Sequence, residues 1–226
     1  MSIEIVNYTK SIKGSTVLDN ISLRFDPGLI YALRGKNGSG KTMLLRAIAG
    51  LVHASSGFVM IDGETIGRDR EFPRSIGVLI ERPSFIDKYT GLQNLKLLAG
   101  IRGKITETDV KAALEAVGLD AADRRTYRKY SLGMKQRLAL ACSIMEDPDI
   151  ILLDEPTNAL DDEGIELARG ILAAKREAQK LIIVASHDAY ELDGLIDRTV
   201  TLRNGKVVED FACTDCEPSS ATKRGA

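Results

Sequence analysis

The stretch Gly35-Lys36-Asn37-Gly38-Ser39-Gly40-Lys41-Thr42, GKNGSGKT, decides the fold. It follows the mostly apolar run LIYALRG (Leu29 to Gly35), which reads as a buried strand. It precedes Met43, Leu44, Leu45, Ile48 and Leu51, which recur on one broad helical face. A glycine-rich loop between a strand and a helix, closed by Lys-Thr, is a cradle for phosphate. The glycines let the backbone curl so that successive N–H groups point inward at anionic oxygens. The helix that starts near Lys41 adds the positive end of its dipole. The expected phosphate contacts therefore run through Gly35, Lys36, Asn37, Gly38, Ser39, Gly40, Lys41, Thr42 and Met43. Lys41 would neutralise the β- and γ-phosphates, and the Thr42 hydroxyl would bind Mg²⁺.

Downstream, Ile150-Ile151-Leu152-Leu153-Asp154-Glu155 ends a second buried strand with two carboxylates. Open α/β sheets gather their ligands at the C-terminal ends of strands. Successive strand side chains point in different directions, so the two acids should divide the work. Asp154 is expected to face the metal. Glu155 is expected to face the γ-phosphate and to polarise a water for in-line attack. The next apolar strand, LIIVA, ends at Ser186-His187, which makes His187 a candidate donor to the same phosphate. His53 has no such context and reads as surface. No NKxD-type guanine reader occurs, which favours ATP.

Outward from these motifs the chain reads as α/β. SIEIVNY and VLDNISLRF alternate like half-exposed strands, with a turn at Pro27-Gly28. FVMIDGETI adds a strand and a turn at Asp62-Gly63, and SIGVLI a short apolar strand. Between about 84 and 146 helices follow one another without strands. One carries Leu92, Leu95, Leu98 and Ile101. The next opens on Thr106 with Asp109 three residues on, a capping-box-like pair. The segment then turns basic at Arg124, Arg125, Arg128 and Lys129. A helix from about Asp161 and a hairpin around Asn204-Gly205 complete the core. The predicted architecture is a mainly parallel sheet flanked by helices, with an N-terminal antiparallel β part and an inserted helical subdomain, over residues 1–210. Residues 211–226 read as a polar, disordered tail.

Composition fits that picture. The chain has 226 residues, enough for one large domain with a subdomain. A net charge of −1 provides no basic field for nucleic acid or anionic lipid. No run approaches the roughly 18 apolar residues that span a bilayer, and the N-terminus lacks a signal-peptide layout, so a cytosolic location is expected. Three cysteines suit a reducing compartment. Cys142 reads as a small buried hydrophobe, and Cys213 and Cys216 supply only two of the four ligands a structural zinc needs.

One further stretch, Tyr130 to Arg137, YSLGMKQR, reads as a helix start with Ser131 as N-cap and Gly133 in its first turn. Such an N-terminus attracts anions. One chain thus carries two anion sites.

Taken in order, GKNGSGKT, the inserted helices, YSLGMKQR, ILLDEP, the stretch NALD (Asn158 to Asp161) and the final SH resemble the nucleotide-binding subunit of an ATP-binding cassette (ABC) transporter. The wording SLGMK is similar to bacitracin-export and lantibiotic-immunity cassettes. The resemblance implies a head-to-tail pair of cassettes, most simply a homodimer, around two ATP. Ser131 and Gly133 would then meet the γ-phosphate held by the partner chain, which accounts for the second anion site. It further implies a P-loop NTPase fold, ATP hydrolysis and Mg²⁺. It also implies a separate transmembrane permease subunit and a peripheral position on the inner face of the cell membrane. Glu81, in LIERP, stands where the family usually has a metal-side glutamine. Ile12 stands where it usually stacks an aromatic on adenine, which implies weak base selectivity. Phe85, Ile86 and Tyr89 fall where the family receives a helix of the membrane subunit, or else in the subdomain core. The competing class is a soluble cassette ATPase acting on ribosomes or DNA. Only one cassette is present and no sustained heptads separate Lys41 from Ser131, which favours transport.

Overall fold

The computed structural model describes residues 1–81, 84–186 and 189–212. Two sheets and five helices build it. The first sheet has the order β2-β1-β4-β5, all antiparallel, from β1 (Ile3–Ile12), β2 (Ser15–Phe25), β4 (Ser56–Ile61) and β5 (Glu64–Thr65). The second has the order β10-β9-β3-β8-β7-β6. Its strands β3 (Ile30–Arg34), β6 (Ile76–Leu79), β7 (Ile150–Asp154), β8 (Leu181–Ala185) and β9 (Arg198–Arg203) pair in parallel, and β10 (Lys206–Ala212) closes antiparallel against β9.

The central strands are apolar throughout because both faces are covered. Along β3, Tyr31 and Leu33 enter one core, with the first sheet and α1 (Lys41–Ile48), while Ile30 and Ala32 enter the other. That second core is built by α2 (Gly91–Arg102), α3 (Glu107–Ala116), α4 (Leu132–Ile144) and α5 (Asp162–Glu177). In the first sheet only one face is buried, so β1 and β2 alternate.

The inserted helices start where their capping residues stand. Thr106 caps α3 with Asp109, as the sequence predicts, and Thr90 caps α2 in a full capping box with Gln93. Gly103, with φ of 62°, ends α2.

Three expectations change in detail. Leu51 lies beyond α1, which stops at Ile48, and is 57% exposed. The buried stripe of α2 is Gly91, Asn94, Leu95 and Ala99, so Ile101 points outward at 77% exposure. Residue 101 stands two residues past Ala99, about 200° further round the helix, and so faces away from the Leu95–Ala99 stripe. The last strand also runs past the expected end at 210, because Phe211 and Ala212 pair with Thr199 and Arg198. Cys213 and Cys216 lie outside the described residues. Cys142 packs against the helical core, and burial pushes its thiol up to about 11.

Candidate active site

The site forms at the C-terminal ends of the parallel strands. The loop from Gly35 to Gly40 leaves β3 and enters α1. Gly40 is the N-cap of α1 with φ of 111°, and a Cβ there would stand 2.9 Å from Leu18 Cδ2. Gly35, with φ of 149°, is pressed so closely on Ser39 that an added Cβ would meet its Oγ at 2.5 Å. The loop is braced from behind. The Gly205 N–H donates to Ser39 O at 3.0 Å, and the Asp19 N–H donates to Gly205 O at 2.8 Å. The β9–β10 turn therefore fastens the loop to β2.

Lys41 is buried, and its Nζ donates to Gly35 O at 2.6 Å. The ammonium thus lies within the curl of its own loop. Thr42 Oγ1 donates to Asp154 Oδ2 at 2.7 Å, joining the first turn of α1 to the end of β7. Glu155 follows with φ of 49°, and its N–H donates to Ala185 O at 2.8 Å at the end of β8. Ser186 Oγ lies 3.3 Å from Glu155 Oε2. Glu81, just past β6, adopts φ of 59° and accepts from Arg46 Nη2 at 2.6 Å.

Lys41, Thr42, Met43, Glu81, Asp154 and Glu155, with Asn37, Gly38, Ser39 and Gly40, line one cleft of about 440 Å³. Gly35 sits behind it, and Lys36 faces solvent while its carbonyl accepts from the Ser39 N–H at 3.0 Å. Ile12, at the end of β1, is 39% exposed and is not among the lining residues, whereas Val17 is. His187 lies outside the described residues.

Burial holds the Asp154 carboxyl above the usual carboxylate range, and the like charges of Glu155 and Glu81 add to this. The Thr42 hydroxyl and Lys41 oppose it in part. Three carboxylates against Lys41 and Arg46 leave the cleft with excess negative charge. Thr42, Asp154 and Glu81 offer only oxygen donors. That set fits a hard cation such as Mg²⁺, which takes one or two carboxylates and completes its shell with phosphate and water.

The second candidate anion site is separate. Ser131 caps α4, its Oγ accepting from the Met134 N–H at 3.1 Å. Ser131 and Gly133 line a cavity of about 610 Å³ with Arg125, Arg137 and Asp161, which shares no lining residue with the cleft. Within one chain the two sites do not meet.

Sequence reading missed Arg46, Val17 and Gly205. Arg46 was within reach, standing four residues after Thr42 on the same helical face. The other two are brought to the loop by strand pairing. Phe85 packs edge-on against Tyr127 at 5.3 Å and belongs to the subdomain core, while Ile86 and Tyr89 are 43% and 41% exposed.

A phosphate loop between β3 and α1, with paired acids closing β7, on a parallel sheet covered on both faces, defines a P-loop nucleotide triphosphatase fold. The chain belongs to the ABC transporter family, whose model matches residues 18–158, and it is an ATP-binding cassette ATPase. It is 43% identical to the uncharacterised ABC transporter ATP-binding protein YybJ of Bacillus subtilis, over 91% of this chain and 94% of that one. Identity to the bacitracin transport ATP-binding protein BcrA of Enterococcus faecalis is 37%, over 92% of this chain and 68% of the relative. With the lantibiotic transport ATP-binding protein SrtF of Streptococcus pyogenes it is 34%, over 91% and 89%. The dimeric structure of MJ0796, a bacterial ABC transporter cassette, superposes with a TM-score of 0.83 at 25% identity, over 93% of this chain and 98% of that one.

Proposed function

We propose that this chain is the ATPase subunit of an exporter. Two copies close head to tail around two ATP and drive a separate membrane-spanning subunit that carries a peptide or peptide antibiotic out of the cell. The observation that carries this reading is the Thr42–Asp154 hydrogen bond inside a cleft that Lys41, Glu155 and Glu81 also line. Lys41 turns from Gly35 O to the β- and γ-phosphate oxygens, and the loop N–H groups from Gly35 to Met43 hold the rest. Thr42, Asp154 and Glu81 would hold Mg²⁺, which would supply positive charge against the phosphoryl oxygens. The Glu155 carboxylate takes the proton of a water aligned on the γ-phosphorus. The new P–O bond forms as the bond to the ADP oxygen breaks, leaving ADP and phosphate. His187 donates to the γ-phosphate.

Ser131 and Gly133 complete the other chain's site. The separation of the two cavities supports this division, since each half-site needs a partner. In the closed pair the α4 N-terminus stabilises charge on the partner's γ-phosphate, so ATP holds the dimer and hydrolysis loosens it. No helix among the described residues is long and apolar enough to cross a membrane, which fits a separate permease. Exposed Ile86 and Tyr89 offer that subunit an apolar contact at the inner face of the membrane. The names of BcrA and SrtF support export of peptide antibiotics. The adenine packs against Ile12 and Val17 without aromatic stacking, so base selectivity is weak.

The test is to express a tagged Glu155→Gln chain in its native host, purify it from solubilised membranes with ATP and Mg²⁺, and identify what comes with it by mass spectrometry. A polytopic membrane protein is expected. Ribosomal or DNA-bound proteins without one would overturn the transport reading.

A further inference from the structure

Adjacent residues of α4 grip both ends of the loop that leaves β7. Gln136 Nε2 donates to Glu155 O and to Pro156 O, both at 3.0 Å. Arg137 Nη2 donates to Asp161 Oδ1 at 2.6 Å, and Asp161 in turn caps α5 by accepting from the Gly164 N–H at 3.0 Å. The Arg137 side chain is only 14% exposed, and two glycines make room for its guanidinium. A Cβ on Gly118 would stand 2.8 Å from Nη1, and one on Gly164 would stand 3.1 Å from Nη2. The middle of the loop also touches α4, where a Cβ on Gly133 would lie 3.0 Å from Ala159 O.

The consequence falls on Glu155. Its φ of 49° lies in the left-handed region, which a non-glycine residue keeps only when its surroundings hold it there. Its N–H is held by Ala185 O of β8 and its carbonyl by Gln136 of α4. A backbone clamped on both sides fixes where the carboxylate starts. One of those clamps is the helix whose N-terminus carries Ser131 and Gly133. A shift of α4 therefore rotates the Glu155 peptide.

We propose that Gln136 is a positioning residue that ties the orientation of Glu155 to the placement of α4, with Arg137 holding the far end of the same loop. This rests on the head-to-tail reading above. On that reading, capture of the partner's γ-phosphate at the α4 N-terminus sets the carboxylate that acts on the chain's own ATP. The two half-sites of one chain are then one mechanical unit, and the chain's own ATP is not hydrolysed before its α4 N-terminus is seated on the partner's γ-phosphate.

The test replaces Gln136 with Leu, which keeps the side-chain bulk and removes the donor, and separately with Asn, which keeps the amide but is too short to reach both carbonyls. kcat and KM for ATP are measured on each variant. Mass in solution with ATP is measured on each in the Glu155→Gln background. The expected result is a kcat about 10- to 100-fold lower, the cost of a slightly misplaced group, with KM within about twofold and the ATP-bound dimer intact. A kcat within about twofold of the parent overturns the proposal, as does activity lost together with the dimer or with a raised KM. Absence of an ATP-dependent dimer in Glu155→Gln with Gln136 intact is a different failure, that of the head-to-tail reading itself.

Discussion

Asp154 shows how a single carboxyl can oppose the fold that holds it. Burial first, then Glu155 and Glu81, raise its pKa above the ordinary carboxylate value. The folded chain therefore binds the Asp154 proton more tightly than the unfolded chain does. Stability from this group is full below the unfolded pKa and is lost as pH rises through the raised folded value. Asp154→Asn escapes that loss while keeping an acceptor for the Thr42 hydroxyl. Its melting temperature, without nucleotide or divalent cation, should exceed the parent's by roughly 2 °C at pH 7 to 8. The gain should vanish toward pH 4, and calorimetry across that range checks both the sign and the window. Lys41 makes a complementary prediction. Its ammonium donates to Gly35 O within its own loop, so Lys41→Ala should fold but hydrolyse ATP at least about 10²-fold more slowly. A steady-state phosphate-release assay decides it.

At the scale of elements, Gly77, where β6 meets α4, leaves the least room for a side chain among the described glycines. Gly77 of β6 is buried, and a Cβ there would stand 2.8 Å from Pro148 Cγ and inside the van der Waals envelope of the Ser143 carbonyl oxygen. The helix and the strand approach this closely only because residue 77 has no side chain. Gly77→Ala should cost about 1–3 kcal/mol or more through overpacking, lowering the melting temperature by about 5 °C or more. Gly170 is the matched control. It lies on the exposed face of α5 with no atom near its Cβ position, so Gly170→Ala should stabilise by up to about 1 kcal/mol. Equal effects at the two positions in thermal unfolding would sink the close-packing argument.

For the whole molecule, the two proposed anion sites, in separate cavities, make a prediction about mass. Glu155→Gln should run as a monomer alone and as a dimer with ATP and Mg²⁺, while its hydrolysis falls by about 10²–10⁴-fold through loss of the general base. Light scattering coupled to size exclusion reads the first and phosphate release the second. Ser131→Arg should abolish the dimer without touching nucleotide binding to the chain's own loop, because Ser131 lines only the other cavity. Base selectivity belongs to this scale too. ATP and GTP should turn over at comparable rates, and a strong preference for ATP would show that something other than Ile12 and Val17 grips the base.

Local chemistry was enough to write much of this protein in its sequence. GKNGSGKT specifies a phosphate loop because left-handed glycines and a helix N-terminus need no distant partner. Thr106, Ser131 and Asp161 announce their helices because a cap bonds only three residues away. The apolar runs of β3, β7 and β8 announce buried parallel strands by composition alone. What no local signal contains is which elements meet. The exposure of Ile101 depended on where neighbouring layers end. The pairing of Arg46 with Glu81 and the bracing of Ser39 by Gly205 join residues far apart in the chain. So does the hold of Gln136 on Glu155. Such contacts follow from strand order and helix packing, which are set by burying two cores at once on either side of one sheet.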